Sequence, residues 1–182
     1  QWARGTASGN VNGAGIAIDL AGNIYVTGGY QGDFAIFGSL WIYSYSGAYN
    51  DIFLVKYNPD GDAVWVKGAG NPYEETSKAI FVDSFGNCYI TGNTEESETL
   101  FDSLLVHYPG FFIAKYDSSG NVKRAKGYGG NTRAHSTAIT MDGAGNLFIA
   151  GDFSLSPISL DGIVLSPHSL SYGTIYFAKF GS

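Results

Sequence analysis

Adjacent carboxylates and clustered aromatic rings are the residues in this chain whose types could do chemistry. Glu74-Glu75 is a carboxylate pair, the residue type that performs glycoside hydrolysis when its separation in space is right. Asn58-Pro-Asp-Gly-Asp62 has the flavour of a calcium loop but lacks the alternating carboxylates and distal Glu that would enclose the ion, so a hairpin turn is expected. Glu95-Glu96-Ser-Glu98 reads as a solvated acidic loop. His107, His135 and His168 stand apart, without metal-ligand spacing. There is no Gly-x-Ser-x-Gly elbow, Cys–His pair or zinc motif. The expectation is therefore a non-enzyme with no catalytic residue, no metal and no cofactor. The aromatic run Trp41-Ile-Tyr43-Ser-Tyr45-Ser-Gly-Ala-Tyr49 offers different chemistry: exposed rings stack on sugars or on a partner protein, whereas covered rings only pack the fold.

Composition narrows the partners. Across 182 residues there are 26 Gly, 13 Tyr, 12 Phe and 3 Trp, which suits many short strands joined by tight turns. Lys and Arg total 10 against 16 Asp and Glu, for a net charge of −6. Binding to phosphate backbones or anionic membrane surfaces needs clustered positive charge, so neither nucleic acid nor a charged lipid surface is expected. No apolar run is long enough for a membrane span, and the opening Gln1-Trp2-Ala3-Arg4 is no signal peptide. The lone cysteine, Cys88, aligns with Ile24 and Leu147 and reads as a small buried hydrophobe.

A threefold repeat organises the chain. Gly15-Ile-Ala-Ile-Asp19-Leu-Ala-Gly-Asn23-Ile-Tyr-Val-Thr-Gly28 recurs as Ala79–Gly92 and Ala138–Gly151, at spacings of about sixty residues. Ile52-Phe-Leu-Val-Lys56-Tyr57 recurs as Phe111–Tyr116 and Ile175–Phe180. Trp65-Val-Lys-Gly68 recurs as Arg124-Ala-Lys-Gly127 and, at the other end, as Trp2-Ala-Arg-Gly5. Each repeat predicts four short strands, with Asp-x-x-Gly-Asn as the first hairpin turn and a small extra hairpin between strands two and three. Asp19, Asp83 and Asp142 are assigned to capping that turn, with Lys56, Lys115 and Lys179 opposite them; a repeated ligand site is the competing reading. The strands are apolar almost throughout, as for sheets covered on both faces. The predicted fold is all-β: a β-propeller region over 1–182 with three four-stranded antiparallel blades, at about 6–68, 69–127 and 128–182 plus 1–5.

These motifs, Ile16-Ala-x-Asp19-x-x-Gly-Asn23-x-Tyr-Val-Thr-Gly28 followed by the strand ending in Lys56-Tyr57, resemble the bacterial SBBP family of β-propeller repeats. The resemblance covers nearly the whole chain, and the variant with the small insert and a Trp-Ala-Lys-like fourth strand is similar to repeats of secreted Bacteroidetes proteins. It implies propeller architecture and an extracellular or cell-surface location, and it brings no catalytic motif with it.

Natural propeller rings contain about four to eight blades, so three imply part of a longer propeller chain or a half-ring in a homo-oligomer. The Trp2 strand is expected to complete the last blade, or the blade of a partner molecule. Loops leading into each first strand differ while their flanks repeat, as a binding surface does. They carry Asn10 and Asn12, then Asn71, Tyr73, Glu74 and Glu75, then Asn131, Arg133 and His135. With Trp41, Tyr43, Tyr45 and Tyr49 these are the candidate contact residues. The expected function is binding or scaffolding toward protein at a bacterial surface. A lectin-like module for glycan is the alternative, and a propeller lyase or glycosidase the weakest reading.

Overall fold

A computed structural model describes residues 1–7, 9–95, 98–107, 109–130, 133–168 and 173–181. Of the candidate positions, Glu96 and Asn131 lie outside the described residues. The two-residue β1 (Thr6–Ala7) is followed by a first unit containing β2 (Asn10–Ile18), β3 (Ile24–Gln31), the hairpin β4 (Phe34–Phe37) and β5 (Leu40–Tyr43), then β6 (Asp51–Tyr57) and β7 (Ala63–Gly70). A second unit repeats the order: β8 (Glu75–Val82), β9 (Cys88–Thr94), hairpin β10 (Glu98–Phe101) and β11 (Leu104–His107), β12 (Gly110–Tyr116) and β13 (Val122–Gly129). The third has β14 (Arg133–Met141), β15 (Leu147–Ser154), hairpin β16 (Ile158–Leu160) and β17 (Ile163–Leu165), and β18 (Thr174–Phe180).

All strand pairs are antiparallel. Unit one pairs in the order β2-β3-β6-β7, unit two as β8-β9-β12-β13, and unit three as β14-β15-β18. The small hairpins bridge units: β10 of unit two pairs with β7 of unit one, Leu100 opposite Gly70 and Phe101 opposite Ala69. This all-β arrangement of repeated antiparallel sheets is β-propeller-like.

The repeated residues explain the repeated geometry. The Asp19 backbone and the Asn23 and Gly22 backbones close the first hairpin turn, and Asp83 and Asp142 do the same in their units. Each first strand bulges at the same place, between Gly13 and Gly15, Ser77 and Ala79, and Ser136 and Ala138. The bulge drives the preceding carbonyl over the neighbouring strand. Gly28, Gly92 and Gly151 lie there, and a Cβ at any of them would collide with the carbonyl oxygen of Asn12, Thr76 or His135.

Alternate residues of the third strand face opposite neighbours. Ile52 and Leu54 join the core between units one and two, together with Phe112, Ala114 and Tyr116 from the other side. Phe111 and Ile113 join the core between units two and three with Tyr176, Ala178 and Phe180. A third cluster around Tyr30, Phe37, Ile42 and Phe53 is capped by the unit's own β4–β5 hairpin. This is the physical reason the strands read as apolar on both faces.

Of the two expected places of the N-terminal strand, completion of the chain's own last blade is corrected. β18 pairs only with β15 among the described residues, so the last sheet has three strands there rather than four. Trp2 lies at the opposite end. Its Nε1 donates to the Pro59 carbonyl at 3.0 Å, and its ring covers Gly61. Trp65 does the same to the next unit, donating to the Ser118 carbonyl at 3.2 Å and covering Gly120. A tryptophan strand belongs to the unit before the turn that it covers, so residues 1–5 stand in front of unit one and do not complete unit three of their own chain.

Candidate functional site

Two candidate groups that are separate in sequence meet at the junction of units one and two. Tyr49, in the segment between β5 and β6, lies beside Tyr73 of the loop after β7, ring centres 6.4 Å apart. Glu74 ties these segments together, accepting from Asn50 Nδ2 at 2.7 Å and from the Asn50 amide at 3.2 Å. Trp41 and Tyr43 alternate with buried Ile42 on β5, so the strand's period of two sends both rings outward. Phe34 supports them from β4, 4.9 Å from Trp41 and 6.5 Å from Tyr43 between ring centres. Trp41, Tyr43 and Tyr45 line a shallow groove of about 330 Å³ whose floor includes Gly68. Tyr43 is 71% exposed, and Trp41, Tyr45, Tyr49 and Tyr73 are each close to half exposed. The rings stand on the surface rather than along a covered edge.

Beneath them is a buried acidic pair. Glu75 is 0% and Asp51 1% exposed. The Asn71 amide donates to Glu75 Oε2 at 3.1 Å, and the Tyr45 amide to Asp51 Oδ2 at 2.9 Å. The other oxygen of each, Glu75 Oε1 and Asp51 Oδ1, has no hydrogen-bond partner. Burial, reinforced by the charges of Asp51, Glu74 and Glu95, pushes Glu75 up to about 9 despite the Asn71 bond, so it carries its proton at neutral pH. Burial also raises Asp51, against the bonds from Ser44 and Tyr45. A raised carboxylate is what an acid catalyst needs, but Glu75 has no surface for a substrate to reach and Glu74 is committed to Asn50. Among the described residues no group of three His, Cys, Asp or Glu is placed to hold a metal ion.

The remaining candidates do not join this surface. Asn12 is exposed on β2, and Arg133 and half-buried His135 stand at the start of β14. The repeated Asp residues organise their own turns. Asp19 Oδ1 accepts from the Ala21 and Asn23 amides at 3.0 and 2.9 Å, and Oδ2 from Asn23 Nδ2 at 2.8 Å. Asp83 and Asp142 hold the same set. Burial works to raise Asp19, but these bonds and that from Tyr25 outweigh it and lower it; the bonds from Asn146 and Ala144 lower Asp142 likewise. The repeated lysines lie over rings instead. Lys56 is 5.1 Å from the centre of Tyr25, Lys115 5.1 Å from Tyr89 and Lys179 5.7 Å from Phe148. Cys88 is buried, which pushes its thiol up to about 12 and makes it inert.

Asn50 and Asp51 escaped the sequence reading, although both hold the site together. The signal was a break in the repeat: β6 opens with an acid where β12 opens with Gly110 and β18 with Thr174.

Comparison with known proteins agrees with the architecture. Residues 1–29 match the model of the SBBP family, described as a beta-propeller repeat. The chain is also similar to an uncharacterized WD repeat-containing protein of Acanthamoeba polyphaga mimivirus, 29% identical over 161 residues. That alignment takes in 79% of this chain and 12% of the viral protein, so the chain spans about an eighth of that relative's length. Over residues 1–29 the chain is thus similar to a beta-propeller repeat.

Proposed function

We propose that this chain is a non-enzymatic interaction module: a β-propeller segment of three blades, one part of a longer propeller or a homo-oligomer, that binds protein at a cell surface. The observation that carries it is the exposed aromatic surface from Trp41 to Tyr73, held by a strand hairpin, a neighbouring loop and the Asn50–Glu74 bonds. Aromatic side chains on a rigid support supply large contact area at small entropic cost, as interface anchors do. Resemblance to propeller repeats, and similarity to a protein named for WD repeats, support interaction rather than chemistry. The bacterial, extracellular setting rests on the resemblance of the repeats to the SBBP family. A lectin-like role is favoured by one feature, the narrow groove flanked by Trp41 and Tyr43, whose rings present faces on which a sugar stacks.

Binding of the fluorescently labelled chain to cells of its source organism tests both readings. Binding lost after protease treatment of the cells identifies a protein partner; binding lost after periodate identifies a glycan. The double substitution Trp41→Ala, Tyr43→Ala should weaken either at least about tenfold. Cells that retain none of the native chain under any condition would remove the surface-binding role.

A further inference from the structure

The aromatic surface of unit one has ring faces and negative charge but no positive partner of its own. It belongs to unit one and its junction with unit two, inside the chain. β5 and β11 show the same alternation, with Ile42 and Val106 buried and Trp41, Tyr43, Leu105 and His107 exposed. In unit two Glu98 is opposite His107, its Oε1 3.5 Å from the imidazole Nδ1. In unit one Phe34 is opposite Tyr43. The outward direction is thus a property of the repeat, and the rings are a property of unit one.

Elsewhere several ring faces are covered by the chain's own cations. Arg4 lies 5.4 Å from the centre of Trp2 and Lys126 5.2 Å from that of Tyr128, beside the repeated lysines over Tyr25, Tyr89 and Phe148. Among the described residues no Lys or Arg lies over Trp41, Tyr43, Tyr45, Tyr49 or Tyr73. The segments 31–51, 69–77 and 92–98, which build and border the surface, contain no Lys or Arg. Lys67, next to Gly68 of the groove, is paired with Asp102 at 3.4 Å. Acids border the rings instead. Glu74 follows Tyr73 and holds Asn50, beside Tyr49. The amide of exposed Glu95 donates to the Glu74 carbonyl at 3.2 Å. Exposed Asp33 abuts the 44–49 segment: its carbonyl accepts from the Ser44 amide at 3.0 Å, and its Oδ1 lies 3.0 Å from where a Cβ on Gly47 would stand. Among the described residues none of Asp33, Glu74 and Glu95 has an ion-pair partner.

We infer that the surface from Trp41 to Tyr73 takes an arginine-bearing segment of a partner protein. The inference rests on the reading of the chain as a protein-binding module and names the chemistry of the partner. A guanidinium plane stacks on Trp and Tyr faces, and its N–H fork suits the rim carboxylates of Asp33 and Glu95. Ring faces and acids attract the same charge, so the two act together, and the net charge of −6 favours encounter with a basic partner. A neutral sugar would use the rings and leave the acids without a role, and an acidic partner would meet repulsion.

A capped Gly-Arg-Gly-Arg-Gly peptide added to the full 182-residue chain tests this by nuclear magnetic resonance. It should shift the Trp41 indole signal, identified by its loss in Trp41→Phe, in a saturable way. The same peptide with citrulline for arginine keeps the shape without the charge and should bind at least about fivefold more weakly. Asp33→Asn combined with Glu95→Gln should weaken the arginine peptide at least about threefold, as should raising sodium chloride from about 0.05 to about 0.5 M. Both substitutions are at exposed side chains, and circular dichroism verifies folding. No shift at about 5 mM peptide, or equal binding of the citrulline peptide, overturns the inference. A saturable shift by maltohexaose with none by the arginine peptide overturns it in favour of a glycan. Protease-sensitive binding to cells would in either case still uphold the protein-binding reading, with a partner of other chemistry. Peptide binding without any binding to cells removes the cell-surface role and upholds this contact.

Discussion

The two junctions between units share one backbone register and differ in how they are sealed. At the junction of units one and two, Trp65 covers Gly120 and meets Tyr25 edge to face at 5.9 Å. Tyr25 Oη donates to the Gly86 carbonyl at 3.2 Å, and Lys56 Nζ reaches the Ser118 carbonyl. At the junction of units two and three, Arg124 replaces Trp65, while Tyr89 stands in the place of Tyr25. A cavity of about 800 Å³ lies there, bordered by Lys115, Arg124, Lys126 and the Asp142 turn. Its counterpart is filled by Trp65 and the Asp117–Gly120 turn. The second junction is stitched elsewhere: Thr91 Oγ1 and Ser136 Oγ bond at 2.7 Å, Ser136 Oγ donates to the Gly92 carbonyl at 3.1 Å, and the Ser136 amide donates to Asn93 Oδ1 at 3.0 Å. Apolar burial is common to both junctions; the polar and aromatic closures are local choices.

The largest expected effect breaks the comparison at the buried acid, since Glu75 has Ala134 as its counterpart in unit three. Its usual value is 4.5, and in the folded chain it is about 9. Below about pH 4.5 both folded and unfolded chains keep the proton. As pH rises from there toward 9 only the unfolded chain releases it, so stability falls by about 1.4 kcal/mol per pH unit. Urea midpoints should decrease from pH 5 to pH 8 in the native chain and decrease less steeply in Glu75→Gln, where buried Asp51 is the raised carboxyl that remains. Equal slopes in the two proteins would place the buried proton elsewhere.

Next in size is the aromatic seal. Trp65→Ala removes packing on Gly120, Tyr25 and the first core, and should cost about 3 kcal/mol by urea denaturation. Arg124→Ala, at the matching exposed place, should change stability by less than about 0.5 kcal/mol. A smaller loss, about 1 kcal/mol, is expected of Ser136→Ala, which leaves Asn93 bonded to the same amide but strips the Thr91 and Gly92 groups of a buried partner. If Ser136→Ala cost more than Trp65→Ala, the ranking of the two closures would invert.

The repeat made much of the sheet order legible because it fixes local chemistry: Asp and Asn at the same turn, Gly where a bulged carbonyl approaches, and apolar residues on both faces of each third strand. Position along the stack was less legible. The same tryptophan motif at residue 2 fits an inner or an outer place equally well, and only the partner of its ring, Gly61, decides between them. The site was half legible. Exposed tyrosines could be named, but a fully buried Glu75 beside a committed Glu74 could not, because sequence adjacency says nothing of opposite sides of a strand. Likewise Asp102 and Asp161 occupy left-handed turn positions, φ 49° and 50°, where unit one has Gly38. Their salt bridges to Lys67 and Lys126 account for an acid tolerating that backbone, and they join residues 35 apart in the chain.

The smallest expected effect sharpens what a seal is. Arg124→Trp restores the aromatic residue at the second junction, beside the open cavity bordered by Lys115, Lys126 and Tyr128. The ring can cover part of the cavity wall near Phe180 and Tyr128 while leaving its other face in water. Burying one face of a ring against a wall that does not close around it returns little free energy, because each atom on the wet side has gained no neighbour. The urea midpoint of Arg124→Trp should therefore correspond to a change within about 0.5 kcal/mol of the native chain. A gain above about 1 kcal/mol would show that tryptophan alone makes the seal, and that Gly120 only avoids a clash with Trp65 rather than forming the other half of the contact.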